Sequence, residues 1–105
     1  MSTERLFADL LQELCDGKKT GALYVRIAEA SEDLYRIFFV NGDIFHIRYG
    51  SAAGKDCLDI IEFYTLQGAT YFEGVQPPVT ERADMPGTKD IISLFRRLNK
   101  KITVK

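Results

Sequence analysis

Asn41-Gly42 separates two aromatic-rich runs, YRIFFV (35–40) and DIFHIRY (43–49). No other feature of the chain constrains its fold as strongly. A two-residue hairpin loop of type I′ needs positive φ at both central residues, and Asn-Gly meets that need at the least steric cost. The turn also sets a register. With Asn41 and Gly42 as the loop, Phe39 is expected opposite Ile44, Ile37 opposite His46, and Tyr35 opposite Arg48. The other face then pairs Phe38 with Phe45 and Arg36 with Ile47. The first set has the more continuous apolar stripe near the turn, yet large apolar groups occupy both. Such a hairpin is covered on both faces, or offers one face to a partner.

Around the hairpin, periodicity predicts the other elements. Leu6, Phe7, Leu10, Leu11 and Leu14 repeat at helical spacing within residues 4–15, with Glu4, Asp9, Gln12 and Glu13 on the opposite face. Gly17 is the expected left-handed stop, and Lys18 and Lys19 follow at the negative end of the helix dipole. GALYVRI (21–27) alternates as a strand. Residues 54–66 read as a second helix. Cys57, Leu58, Ile61 and Tyr64 form one stripe, and Ile60 and Phe63 widen it beyond a single contact surface. Gly68 is its expected cap, and ATYFEGV (69–75) a fourth strand. Residues 76–87 hold all three prolines and read as a surface linker. A last helix is expected over 88–101, capped by Thr88 and buried through Ile91, Ile92, Leu94, Phe95 and Leu98.

Size and charge limit the function classes. A chain of 105 residues suits one domain with one core. No run approaches the roughly 18 apolar residues of a membrane span. The start MSTERLFADLLQEL mixes acids with apolar residues, unlike a signal peptide, so a cytoplasmic location is expected. Net charge is −1, which gives no long-range pull on nucleic acid or acidic membranes. From Lys89 to Lys105, however, six basic residues face one acid. Such an end either docks on an acidic partner or forms a solvated helix terminus. Cys15 and Cys57 have no metal or redox spacing and fall at apolar helix positions, as small buried hydrophobes do.

Three sets of residues have reactive or ligand-binding character. GSAAGKD (50–56) resembles a phosphate loop only in outline. Three residues rather than four separate its glycines, and Asp56 stands where a magnesium-binding hydroxyl is needed. The glycines are better read as turning the chain sharply into a helix. His46 would need a nucleophile and an orienting carboxylate, and Cys57 or Lys55 could join it only if the fold brought them close. A metal would need more ligands than one His and two scattered Cys. Tyr24, Arg26, Arg36, Arg48 and Tyr49 could form a stacking surface for single-stranded RNA, but RIFFVNG lacks the RNA-recognition strand motif and the net charge opposes it. No catalytic, cofactor or metal residue is therefore assigned.

The order of elements resembles the PATAN domain, the amino-terminal module of PatA-type bacterial regulators, a domain of unknown function. The likeness runs through LFADLLQEL (6–14), KKTGALYV (18–25), IFFVNGDIFHIRYG (37–50), GKDCLDII (54–61) and LQGATYFE (66–73). Cys57 and Ile47 depart from it, standing where the family carries a small alanine. Family members are usually fused to response-regulator receivers. The resemblance implies a bacterial signalling module that binds proteins and has no established catalytic residues.

These readings converge on a single α+β domain over 1–105. A mainly antiparallel sheet of four or more strands is expected to pack with three helices, in the order α-β-β-β-α-β-α. The expected function is non-enzymatic protein–protein interaction in signal transduction. The partner would be another signalling protein or a second copy of the chain, with no cofactor, nucleic acid or membrane insertion. Ile60 and Phe63, or Phe38 and Phe45, are the candidate apolar contacts, with Arg36 and Arg48 at the rim. Alternatives are a homodimeric scaffold of the roadblock type serving a small GTPase, and a ligand-binder or enzyme using His46 and Cys57.

Overall fold

The Asn-Gly turn forms as expected, with φ of 50° at Asn41 and 86° at Gly42. It joins strands β3 (Leu34–Val40) and β4 (Asp43–Tyr49). The computed structural model describes residues 3–30, 32–82 and 84–104. Within it the chain is α+β, with three helices and a seven-stranded sheet in the order β1-β7-β6-β2-β3-β4-β5. The remaining strands are β1 (Thr3–Leu6), β2 (Gly21–Ile27), β5 (Ala52–Ala53), β6 (Leu66–Glu73) and β7 (Lys101–Val104). The helices are α1 (Phe7–Asp16), α2 (Lys55–Ile60) and α3 (Thr88–Leu98). Every pairing is antiparallel except β6 with β7. No helix among the described residues is long and apolar enough to cross a membrane.

The hairpin departs from the simple register. Phe39 faces Ile44 as expected, but Ile37 faces Ile47, Tyr35 faces Tyr49 and Arg36 faces Arg48, and Phe38 pairs with His46 rather than Phe45. A β-bulge at Phe45 supplies the extra residue. The physical reason lies in residues 47–49. Without the bulge, Arg48 would point into the core while Ile47 and Tyr49 faced outward, because a one-residue slip exchanges the two faces. With it, Ile47 is fully buried, Tyr49 is nearly so, and Arg48 is exposed. Burying a large apolar side chain contributes about 1.5–3 kcal/mol. Desolvating an unpaired guanidinium would cost several times that.

One apolar cluster joins the three helices to one face of the sheet. Leu23, Val25 and Ile27 of β2 meet Phe7, Leu11 and Phe95 of the helices there. Phe7 and Phe95 stack edge to face at 4.9 Å, which brings α1 against α3. Arg96 and Asp9 pair across the same contact at 2.9 Å. The other sheet face carries Ala22, Tyr24, Arg36, Phe38, His46 and Arg48, as their cross-strand pairings require.

Several boundaries differ from the periodicity. Residues 3–6 pair with β7 as a strand, so the first helix starts only at Phe7. Lys18, not Gly17, takes the left-handed conformation, at φ 50°. The second helix stops at Ile60 and continues as a 3₁₀ turn, Ile61–Phe63. Gly68 lies inside β6 and caps no helix. The third helix stops at Leu98, where Asn99 is left-handed, and the β-favouring run KITV becomes β7. Thr88 is not a cap. Its hydroxyl accepts from Ile44 N at 3.0 Å and so fastens α3 to the edge of β4. Irregular backbone makes up the described part of the predicted linker, Ala83 lying outside the described residues, and Arg82 pins it. Its guanidinium donates to Ile44 O at 3.1 Å, Met85 O at 3.0 Å and Pro86 O at 2.5 Å.

Candidate functional site

The helical side of the molecule carries the most exposed large apolar group among the described residues. Phe63 is 74% exposed, and Phe72, on the sheet, follows at 44%. Local geometry explains Phe63. Cys57, Leu58 and Ile61 point inward at helical spacing. The 3₁₀ turn then aligns Ile61 with Tyr64, since positions three apart superimpose in that helix. Phe63 is left facing out. Ile60, the other predicted contact on this element, is half-buried against the core.

The backbone around Phe63 is held from both sides. Lys100 Nζ donates to Tyr64 O at 2.6 Å and to Glu62 O at 3.3 Å. Thr65 donates its amide and hydroxyl to the Glu29 carboxylate at 2.8 and 2.9 Å. Those two bonds hold the Glu29 carboxyl below its ordinary pKa. The exposed ring therefore sits on a fixed support. Glu62, the neighbour of Phe63 in the chain, lines a groove of about 310 Å³ between α2 and α3. Leu58, Leu94 and Leu98 give it an apolar lining, and Asp59, Glu62 and Arg97 charge its margin.

The remaining predicted contacts lie elsewhere. Phe38 is only 5% exposed, and its ring lies 5.9 Å from that of His46. Phe45, at the bulge, is half-buried and lines a separate hollow with Val40, Arg82 and Thr88. The expected exposed pair Phe38–Phe45 therefore does not exist, because the bulge separates the two. Arg36 and Arg48 are exposed on the sheet face, not at the margin of the Ile60–Phe63 corner. Of the basic C-terminal end, Arg96, Lys100 and Lys101 are engaged within the fold, the last with Glu4 at 3.8 Å. Lys89 and Arg97 are exposed, and Lys105 lies outside the described residues.

The His46, Cys57 and Lys55 constellation is not assembled. His46 faces away from the main core, whereas Cys57 lies within it and donates to Ile47 O at 3.6 Å. Burial pushes the Cys57 thiol up to about 11, which keeps it protonated at neutral pH. Lys55 is exposed beside the α2–α3 groove. GSAAGKD acts as a backbone device: Gly50 and Gly54 adopt φ of 59° and 62°, and Gly54 N donates to Ile47 O at 2.8 Å. Sequence reasoning missed Leu94 and Leu98 as groove residues, having assigned them to the buried helix face. The extra apolar width of α2 was the available signal for Phe63. In comparisons with known proteins, the chain matches no family model, no curated protein and no solved structure.

Proposed function

We propose that this chain is a non-enzymatic protein-interaction module of PATAN type, acting in bacterial signal transduction. The observation that carries the reading is Phe63, 74% exposed on a backbone held by Lys100 and Glu29. A rigid, solvated aromatic ring is costly to leave in water and needs little ordering on binding. Covering it fully contributes about 1.5–3 kcal/mol. The groove between α2 and α3, lined by the adjacent Glu62, offers space for an apolar side chain of the partner. The partner in this reading is another signalling protein.

Phe63→Ser tests the proposal, with Ile60→Asn added in a second variant. Immobilised chain incubated with extract of its native cells is expected to retain a partner that the Phe63→Ser chain loses at unchanged thermal stability. Equal capture by both chains would overturn the assignment of this corner. Light scattering of the purified chain separates a second copy from a different protein as the occupant.

A further inference from the structure

We infer that the sheet face opposite the helices is a docking surface for an acidic peptide segment, read by Arg26, Arg36 and Arg48. The inference is independent of the Phe63 corner. It begins with a cost: Arg36 and Arg48 are direct cross-strand partners, and like charges placed opposite each other destabilise a sheet. Arg26 lies on the same face, two positions along β2 from Tyr24, which is the cross-strand partner of Arg36. The ion pairs formed among the described residues are Arg5–Glu13, Arg96–Asp9 and Lys101–Glu4. None of the three sheet arginines takes part, although the chain as a whole has a net charge of −1.

The arginines are also arranged. Arg36 lies over the Tyr24 ring at 5.4 Å, and Tyr24 packs against Phe72 at 5.0 Å. Arg26 extends across β6 at Gly68, where a Cβ would come within 2.5 Å of its Nη2. The missing side chain and the register shift there give the guanidinium room to lie along the sheet. The row crosses from β4 to β6, about 14 Å at ordinary strand spacing. An extended peptide with carboxylates at alternate positions spans about 13 Å over three of them. Each carboxylate can accept two parallel bonds from one guanidinium. Phe72, 44% exposed, supplies an apolar contact beside the row. Three arginines on an acidic protein release too few counterions to hold a nucleic acid without sequence recognition at physiological salt. That favours a short acidic peptide.

The test uses a fluorescein-labelled peptide of alternating glutamate and leucine, followed by anisotropy at about 50 and about 300 mM salt. Saturable binding is expected, weaker at the higher salt and lost when glutamine replaces glutamate. The double variant Arg36→Gln/Arg48→Gln is expected to bind at least about tenfold more weakly while melting at the same or a higher temperature, since the like-charge pair is gone. Arg36→Lys/Arg48→Lys keeps the charge but loses the fork, and is expected to fall between. Amide shifts on titration should gather at Tyr24, Arg36, Arg48 and Thr70 and spare Phe63. The inference fails if the peptide does not saturate, if the glutamine peptide or the double variant binds equally well, or if oligouridylate binds more tightly than the peptide. A Phe63→Ser chain that loses its partner yet still binds the acidic peptide would separate this surface from the corner proposed above.

Discussion

His46 is the residue whose chemistry and position are most at odds. It is 3% exposed, and neither imidazole nitrogen has a hydrogen-bond partner among the described residues. A buried polar group without partners costs about 1–3 kcal/mol. Burial, followed by the nearby Arg48 charge, lowers its pKa from the ordinary 6.5. The fold therefore holds the neutral imidazole, and the unfolded chain protonates first as pH falls. Stability is therefore independent of this group above about pH 6.5 and falls as pH drops from there toward the lowered folded value. Thermal melts across pH 5 to 8 should reveal that loss. His46→Leu, similar in volume, is expected to flatten it and to raise stability by about 1 kcal/mol. If the substitution lowers the melting temperature at pH 7, the imidazole has partners in solution. The sequence identified the lone histidine but not this environment, because a bulge one residue earlier decides which face of the sheet it occupies.

At the scale of elements, the hairpin turn contributes more than a reversal of the chain. Gly42 N donates to Lys19 O at 2.9 Å, and Asn41 N donates to Thr20 Oγ1 at 2.9 Å. The turn is thereby docked on the segment that follows α1. A Cβ at Gly42 would lie 2.5 Å from the Cys15 carbonyl oxygen, at a φ of 86°. Gly42→Ala thus combines left-handed strain with a backbone clash. A loss of about 2–3 kcal/mol is expected in urea denaturation. A loss below about 0.5 kcal/mol would mean that the α1 end gives way freely. Asn-Gly was legible as a turn from two letters. Its docking on α1 was not, since Cys15 and Gly42 are distant in sequence.

At the scale of the molecule, the two ends of the described chain close the sheet. β7 runs parallel to β6 and pairs antiparallel with β1, so residues 3–6 and 101–104 form its outer strands at one edge. Ile102, 1% exposed, is the buried anchor of that edge. Ile102→Ala is expected to cost about 2–5 kcal/mol. Amide exchange should lose protection in β1 as well as β7. Protection retained in β1 would show that the N-terminal strand does not depend on β7. Neither strand was visible in the sequence. TERL ran into the helical pattern of LFADLLQEL, and the expected last helix, 88–101, took in Lys101 and left residues 102–104 unassigned.

Local physics was enough for what the sequence determined alone. Asn-Gly needs positive φ, alternating β-branched and aromatic residues make strands, and apolar residues at helical spacing mark buried faces. From these came the α+β class, the central strands β2 to β4 and most of the core. Only the tertiary structure decided which hairpin residues face inward, where the helices stop and which aromatic ring remains in water. Each of these turns on a competition between distant partners. The core claims Ile47 and Tyr49 at the expense of a regular ladder, β7 draws residues 3–6 out of a helix, and Lys100 and Glu29 hold the turn that leaves Phe63 uncovered.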